Sequence, residues 1–287
     1  MVTRLQIVLR ILFFCALLLP TLSYSAAWTQ AVGSGQVIVN GSYYVSDHSY
    51  DQRGKLSLAN LYVKKEINPY IEYGLTDDVT LGGSFFLQRA EQQQSGVDYS
   101  QMAFSSAEFF VRKKLWENDS WVFSVQPWIK LPGLYEESDF PSFGKKQIDT
   151  EIRFLLGKSI HWSLPIKHFN WGEWGNAEYH FMNMEVAVRH HGEVGKEEVR
   201  VDPTLGIRLR GDIMLLAQGF ATFGVGPAGS QLIQTGNAVN YDVIKIQLSG
   251  VKEITEKTSL QLGVFQEVWG RNIGGGAGGL LSLWYRF

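Results

Sequence analysis

The sequence predicts an all-β protein that folds into an antiparallel transmembrane β-barrel of about twelve strands, with ten or fourteen as the alternatives. Three observations predict this fold class. Apolar and polar residues alternate along much of the chain, residues 1–26 have the features of an export signal, and the last strand ends on an aromatic residue, Phe287. Because successive side chains of a strand point to opposite faces, this alternation gives each strand one apolar face.

The composition excludes several classes of protein. The 287 residues suffice for one barrel or one large β-sandwich. A net charge of −2 provides no basic surface for nucleic acid, so no nucleic-acid partner is expected. The mean hydropathy of −0.07 is too polar for a bundle of membrane helices. The 30 glycines and the 13% of aromatic residues suit a protein of strands and turns.

The amino terminus has the three parts of a signal peptide. Arg4 and Arg10 form a positive region, residues 11–19 form a short apolar core, and Pro20 follows it. The core is shorter than the ~20 residues that a membrane-spanning helix requires. Small residues then offer a cleavage site: Ser23, Ser25, Ala26 and Ala27. We therefore expect residues 1–26 to be removed and residues 27–287 to form the barrel.

The one cysteine, Cys15, lies within the predicted signal peptide. The mature chain would then have no thiol, which excludes disulfide bonds and thiol chemistry. No residue pattern indicates a cofactor, and none is expected.

About twelve segments show the alternation, each near the ~10 residues that a tilted membrane strand requires. One of the clearest, residues 147–156, sets four apolar residues against four polar ones: Ile148, Ile152, Phe154 and Leu156 against Gln147, Asp149, Glu151 and Arg153. Residues 213–223 are apolar on both faces, so their orientation stays undefined. Membrane barrels have short turns at one end and longer loops at the other. We expect the longer loops at 89–101, 132–146, 190–197, 224–240 and 271–278.

The polar faces of these strands carry many charged residues of both signs. In a β-sandwich this face would be the solvated outside, whereas in a barrel it would line a wet lumen. The export signal, the aromatic ending and the density of charge favour the barrel. The predicted lumen-lining residues are Lys64, Glu66, Glu108, Arg112, Asp149, Glu151, Arg153, Arg200, Asp202, Arg208, Lys245 and Glu267. If they pair across strands they would plug the lumen, and if the two signs separate they would set a field across a channel.

The carboxy-terminal residues carry a first resemblance. Leu283, Tyr285 and Phe287 occupy alternate positions up to the chain end, and Ser282 stands where the fuller pattern often has Gly. This ending resembles the C-terminal assembly signal of Gram-negative outer-membrane β-barrels. The resemblance implies export through the periplasm to the outer membrane, with outer-membrane lipids and the barrel assembly machinery as partners.

A second resemblance covers the first third of the chain and is loose thereafter. Its motifs are Trp28-Thr29-Gln30, Gly35-Gln36-Val37-Ile38, Tyr43-Tyr44, Tyr73-Gly74-Leu75-Thr76-Asp77 and Thr80-Leu81-Gly82-Gly83. Together they resemble the meta-pathway phenol-degradation family of outer-membrane proteins. The resemblance implies an outer-membrane barrel that passes small, aromatic molecules. It supplies no site residues.

Several motifs that could indicate catalysis or ligand binding have simpler interpretations. Residues 224–229 fit G-x-G-x-x-G, but Pro227 does not suit the helix that a dinucleotide site requires, so a loop is expected. A His/Ser pair at His161 and Ser163 has no acid at an informative spacing. Isolated His48-Ser49 lacks one as well, and His180, His190 and His191 lack zinc-site spacing. We therefore expect no metal site and no enzymatic activity.

One aromatic cluster is the remaining candidate: Trp162, Phe169, Trp171 and Trp174. An aromatic girdle at the membrane boundary is the simpler interpretation. The alternative is a segment that folds into the lumen and lines an aromatic-binding constriction.

The sequence thus predicts a porin-like passive channel or transporter for small molecules. Aromatic or hydrophobic solutes follow from the family resemblance. A non-transporting structural or surface barrel is the alternative function, and an outer-membrane lipid hydrolase is the third.

Overall fold

The computed structural model describes residues 27–144, 146–160, 180–192, 197–210, 212–225 and 241–287, without the side chain of Arg210. Twelve antiparallel strands form one closed barrel, in which each strand pairs with its neighbours in sequence. The strands are β1 (Gly35–Tyr50), β2 (Leu56–Thr76), β3 (Val79–Gln94), β4 (Val97–Glu117), β5 (Trp121–Leu134), β6 (Asp149–Ile160), β7 (His180–His191), β8 (Glu198–Arg210), β9 (Ile213–Gly224), β10 (Asp242–Glu253), β11 (Thr258–Arg271) and β12 (Ile273–Arg286).

The first and last strands close the barrel. Val39 of β1 lies opposite Leu283 of β12. At the end of this pairing, the backbones of Gly35 in β1 and Phe287 after β12 exchange two hydrogen bonds of 3.0 Å. Closure removes the unpaired edges that an open sheet would present. The predicted transmembrane barrel and its twelve strands are therefore confirmed.

The outer face of the barrel is apolar. Along β2, for example, Ile71 and Tyr73 are each 42% exposed, whereas Glu72 between these outward positions is buried. The same alternation exposes apolar residues on other strands, among them Val39, Leu81, Phe109, Ile152, Phe154, Val186, Leu248, Leu262, Leu281 and Leu283. Exposed rows of this kind suit acyl chains, while the charged residues face inward. Within the described residues, no helix is long and apolar enough to span a membrane.

The two ends of the barrel differ in their connections. Short turns join β2 to β3, β4 to β5, β8 to β9 and β10 to β11 at the end where β1 begins. At the opposite end, 14 residues connect β5 to β6 and 17 connect β9 to β10, while the connection from β6 to β7 at the first end, residues 161–179, lies outside the described residues. We call these the turn end and the loop end. In membrane barrels the short turns face the periplasm and the longer loops face outward.

Two of the predicted long loops are wrong. Residues 89–101 belong to a hairpin, in which β3 and β4 continue to a tight turn at Ser95 and Gly96. Residues 273–278 belong to β12 and pair with β1. The hairpin was missed because it has few apolar residues, and the β12 segment was missed because glycines have no side chains. Neither shows an alternation of side chains, although the backbones of both can still pair. The orientation of β9 is now defined, with Met214 and Leu216 buried inside and Leu215 outside.

Candidate functional site

A segment before β1 lies inside the barrel at the turn end. We call this segment, Ala27–Ser34, the lumen arm. Its carboxy-terminal end leads into β1 and lies against β2, where Gly33 N donates to Gly74 O at 2.9 Å. It reaches β5, where Ser124 Oγ donates to Ala27 O at 2.6 Å. Since only β3 and β4 lie between these two contacts, the lumen arm runs along the inside of the wall from β2 to β5.

Side chains of β2 and β3 hold the middle of the lumen arm. The backbone N–H of Gln30 donates to Thr80 Oγ1 at 2.8 Å. Its side-chain Nε2 donates to Glu72 Oε2 at 2.7 Å. Apart from an isolated bridge between Val32 and Gly74, the lumen arm is not a strand of the sheet. Side-chain contacts therefore hold much of it in place.

A buried ion pair lies beneath the lumen arm. Arg112 Nη2 is 2.7 Å from Glu72 Oε1, and Arg112 Nη1 donates to Trp28 O at 3.0 Å. Tyr70 also donates its hydroxyl to Glu72, and Gln126 Oε1 accepts from Arg112 Nε at 3.0 Å. A buried ion pair needs such additional hydrogen bonds, because water no longer solvates its charges. This pair is therefore a well-satisfied anchor for the lumen arm.

An apolar contact fixes the far end of the lumen arm. Trp28 packs against buried Val122 and Leu155, which face inward from β5 and β6. Its ring also covers Gly157, where an added Cβ would lie 2.2 Å from the ring. Glycine at this position is thus what allows the indole to approach the wall.

The other half of the turn end is filled by a separate apolar cluster. Met214, Leu216, Val251 and Trp284 face inward from β9, β10 and β12 and are all buried. Ile38 and Phe181 pack against this cluster, and Trp284 Nε1 donates to Gln261 Oε1 at 3.1 Å. The lumen arm and this cluster together pack the turn end of the lumen.

A network of charges lines the wall from β6 to β8. Arg153 pairs with Glu151, Glu185 and Asp202 at 2.8, 2.5 and 3.2 Å. Glu151 also accepts from Arg189 at 2.9 Å. Because each charge meets opposite charges on neighbouring strands, this wall has paired rather than separated signs.

The loop end of the lumen is open by contrast. A cavity of about 710 Å³, which we call the vestibule, extends from β1 and β2 to the wall of β5–β8. Its lining includes Lys64, Glu66, Lys130, Asp149, Arg189, His191, Lys245 and Glu267. The barrel is therefore cup-shaped, open toward the loops and packed at the turns.

Aromatic rings cover one wall of the vestibule. Tyr44 and Phe265 stack with their centroids 6.2 Å apart and their planes 5° apart, and Tyr62 meets Tyr44 edge-on. The Lys245 ammonium lies 5.4 Å from the Phe265 centroid and 4.5 Å from that of Phe220. Among the described residues, Lys245 forms no ion pair with a carboxylate, whereas Lys64 lies 3.4 Å from Glu66. Lys245 is thus a cation that can receive an anionic group.

The rim opposite the aromatic wall is held by a histidine between two acids. His191 Nδ1 lies 2.9 Å from Asp149, and its Nε2 lies 3.1 Å from Glu198. Tyr241 precedes β10 at this rim, and burial, followed by the Glu198 carboxylate, raises the pKa of its phenol. Tyr241 therefore presents a neutral hydroxyl to the vestibule.

The structure places the predicted lumen-lining residues in three groups, with Glu108 apart from them. Lys64, Glu66, Asp149, Lys245 and Glu267 line the vestibule. Glu151, Arg153, Arg200 and Asp202 belong to the charge network, where Arg200 lies 3.9 Å from Glu151. Glu108 faces Lys130 across β4 and β5. Two lie nearer the turn end: Arg112 anchors the lumen arm, and Arg208 pairs with Glu253 at 3.2 Å.

The other candidate sites from the sequence are outside the described residues or show no catalytic arrangement. Trp162, Phe169, Trp171 and Trp174 lie outside the described residues, as do His161, Ser163 and most of the G-x-G-x-x-G motif. His48 contacts the neighbouring Asp47 at 2.5 Å, inside the vestibule rim. In the described part of the chain, no group of His, Cys, Asp or Glu could hold a metal ion.

Sequence reasoning missed the lumen arm and the aromatic wall. Residues 27–34 do not alternate, so nothing in their pattern signals a position inside a barrel. Tyr44 falls on the polar face of its strand, which is a usable signal that its ring points inward. Phe265 gives the same signal, because it shares the polar face of β11 with Gln261 and Glu267.

The fold is similar to those of solved outer-membrane β-barrels. The COG4313 outer membrane channel from Pseudomonas putida F1 has a TM-score of 0.70 and 14% identity, over 91% of this chain and 98% of that chain. The transport unit of the autotransporter AIDA-I from Escherichia coli has a TM-score of 0.51 and 11% identity, over 97% of each chain. At these identities the likeness shows a shared fold.

No protein-family model matches the chain, and no curated protein matches it. The outer-membrane barrel fold that the sequence predicted is confirmed by the structural neighbours. Membership of the phenol-degradation family stays a prediction.

Proposed function

We propose that this protein is an outer-membrane channel that admits small aromatic molecules carrying an acidic group. The observation that carries the proposal is the cup shape of the lumen. A vestibule of about 710 Å³ opens toward the loops, and the lumen arm and the apolar cluster around Trp284 together pack the passage beneath it. A cavity of this size lies within the range of small-molecule sites.

The chemistry of the vestibule supports the choice of solute. The stacked Tyr44 and Phe265 rings offer a surface for a third ring. Lys245 stands beside this surface without a carboxylate partner among the described residues. An aromatic carboxylate would satisfy both features, since its ring stacks while its charge meets the ammonium. The sequence resemblance to the phenol-degradation family points to the same class.

Passage to the turn end requires the lumen arm to move. Movement would break its single hydrogen bonds with Thr80 and Ser124, each contributing about 0.5–1.5 kcal/mol, and its contacts with the Arg112–Glu72 pair and the packing of Trp28. A segment held in this way can leave its place without unpairing any strand of the barrel. The lumen arm is therefore the gate in this proposal.

A reversible lock on the lumen arm tests the proposal. Gln30→Cys combined with Thr80→Cys places two thiols at a contact where backbone N and Oγ1 are 2.8 Å apart. In proteoliposomes, the oxidised double variant should exclude benzoate, and reduction should restore its uptake. Each single variant is the control, because it cannot form the bond and should take up benzoate in both states.

The second candidate function is a structural barrel without transport. The paired charges around Arg153 favour it, because they hold four strand positions rigidly together. In that case neither oxidised nor reduced protein should carry benzoate or ions across the bilayer.

A further inference from the structure

A pair of cations lies on the outer, membrane-facing surface, away from the vestibule. Lys65 of β2 lies directly opposite Arg89 of β3 in the register. We call these two residues the cation pair. Their side chains are 49% and 52% exposed. Glu91 accepts from Lys65 Nζ at 3.2 Å and from Arg89 Nε at 2.9 Å.

The charges of this cluster do not balance. Two cations and one carboxylate leave one net positive charge on a surface that is otherwise apolar. Like charges directly opposite each other on one face of a sheet are destabilising. An anion bound from outside would relieve this repulsion.

The cation pair lies about one membrane crossing from the turn end, and further apolar residues of β2 are exposed beyond it. Along β2 the exposed residues Leu75, Tyr73, Ile71 and Ile67 lead from the turn end toward Lys65. A tilted strand crosses the hydrocarbon region in ~9–11 residues. Lys65 therefore lies at the boundary on the loop side, where lipid headgroups of the outer leaflet begin.

An apolar groove of about 820 Å³ adjoins the cation pair. Its walls include Tyr43 and Val264, while Gly41 and Gly279 form its base on β1 and β12. Tyr43 of β1 pairs with Lys65 of β2 on one side and with Gly279 of β12 on the other. The groove therefore starts beside the Lys65 ammonium.

Packing within the barrel does not require these two glycines. A Cβ on Gly41 would meet its nearest atom at 3.8 Å, and one on Gly279 at 3.6 Å, both ordinary contacts. Glycine weakens a strand interior and often marks a place where another molecule approaches closely. The two missing side chains are what leave the groove open.

We propose that the cation pair and the groove bind one phosphorylated acyl lipid of the outer leaflet. The phosphate meets Arg89 and Lys65, because a guanidinium fork and an ammonium suit phosphate oxygens. An acyl chain lies in the groove over Gly41 and Gly279. The inference rests on the outer-membrane location in the proposed function but not on transport, so lipid binding and benzoate uptake are separate results.

Binding of purified lipid A to the full-length mature barrel in detergent micelles tests this site. Native mass spectrometry should show one tightly bound lipid A, with a Kd on the order of tenfold weaker for the double variant Lys65→Gln, Arg89→Gln. Gly279→Leu, which fills the groove, should weaken binding by several-fold. Dephosphorylated lipid A should bind the unaltered protein as weakly as lipid A binds the double variant.

Two matched variants serve as controls. Lys113→Gln removes an exposed cation at the turn end, and Gly250→Leu fills another glycine position where a Cβ would meet nothing within 4 Å. Both should bind lipid A as the unaltered protein does. Equal binding by all variants, or equal binding of phosphatidylglycerol and lipid A, would overturn the proposal. If the double variant does not fold, Arg89→Gln alone keeps Lys65 and gives the same comparison.

Discussion

Arg112 and Glu72 form an ion pair across the inside of the barrel wall, although β3 separates their strands. Arg112 Nη2 lies 2.7 Å from Glu72 Oε1, and the two side chains are 2% and 4% exposed. The same guanidinium donates to the carbonyl of Trp28 at 3.0 Å. One side chain therefore joins the barrel wall to the lumen arm.

Replacing Arg112 by Met is expected to lower the free energy of unfolding by about 3–5 kcal/mol. The reason is that Glu72 would stay buried without its cation. The change should also raise ion conductance, because the Trp28 carbonyl loses its donor and the lumen arm loosens. Urea unfolding in micelles and planar-bilayer recordings measure the two effects. Arg53→Met, in the exposed connection between β1 and β2, should change neither.

Gly157→Ala is expected to displace Trp28 from the wall. The added Cβ would lie 2.2 Å from the indole ring, which must move away. We expect a loss of about 1–3 kcal/mol in stability, together with higher conductance. Gly250→Ala is the control, since its Cβ would meet nothing within 4 Å. An unchanged conductance in Gly157→Ala would show that Trp28 does not restrict the passage.

Lys245→Gln is expected to weaken uptake of benzoate on the order of tenfold, the equivalent of one charge-assisted hydrogen bond. Uptake of neutral benzyl alcohol should stay the same, because the Tyr44 and Phe265 rings remain. Proteoliposome uptake of both solutes measures the difference. If the uptake of benzoate and of benzyl alcohol falls by the same factor, Lys245 stabilises the aromatic wall and does not bind the charge of the solute.

Arg153→Glu separates a charge network that holds the barrel together from one that lines an open pore. The variant would join Glu151, Glu185 and Asp202, which already surround this position. We expect a marked loss of folded barrel in urea or a leak in bilayers, because four carboxylates would share one wall. Arg153→Lys, which keeps the charge, should retain most of the stability. A folded Arg153→Glu barrel with altered ion selectivity and nothing else would indicate an open pore instead.

The sequence predicted the faces of the strands well, because alternation is a local property. The side chains of residues 147–156 have the orientations that their alternation predicts, with Phe154 on the outside of the barrel and Glu151 on the inside. The sequence did not predict strands in segments where apolar and polar side chains do not alternate. The glycines from 274 to 279 and the polar hairpin at 89–101 pair through their backbones, and no alternation of side chains reports that pairing.

The chain by itself determined a membrane barrel of about twelve strands with charged residues inside, since period two and strand length follow from neighbouring residues, and the structure fixed the number at twelve. Only the tertiary structure decided that the lumen is a cup. The lumen arm meets Arg112 and Ser124, which lie 84 and 97 positions away in sequence. Contacts at such separations depend on closure and register, which no local pattern encodes.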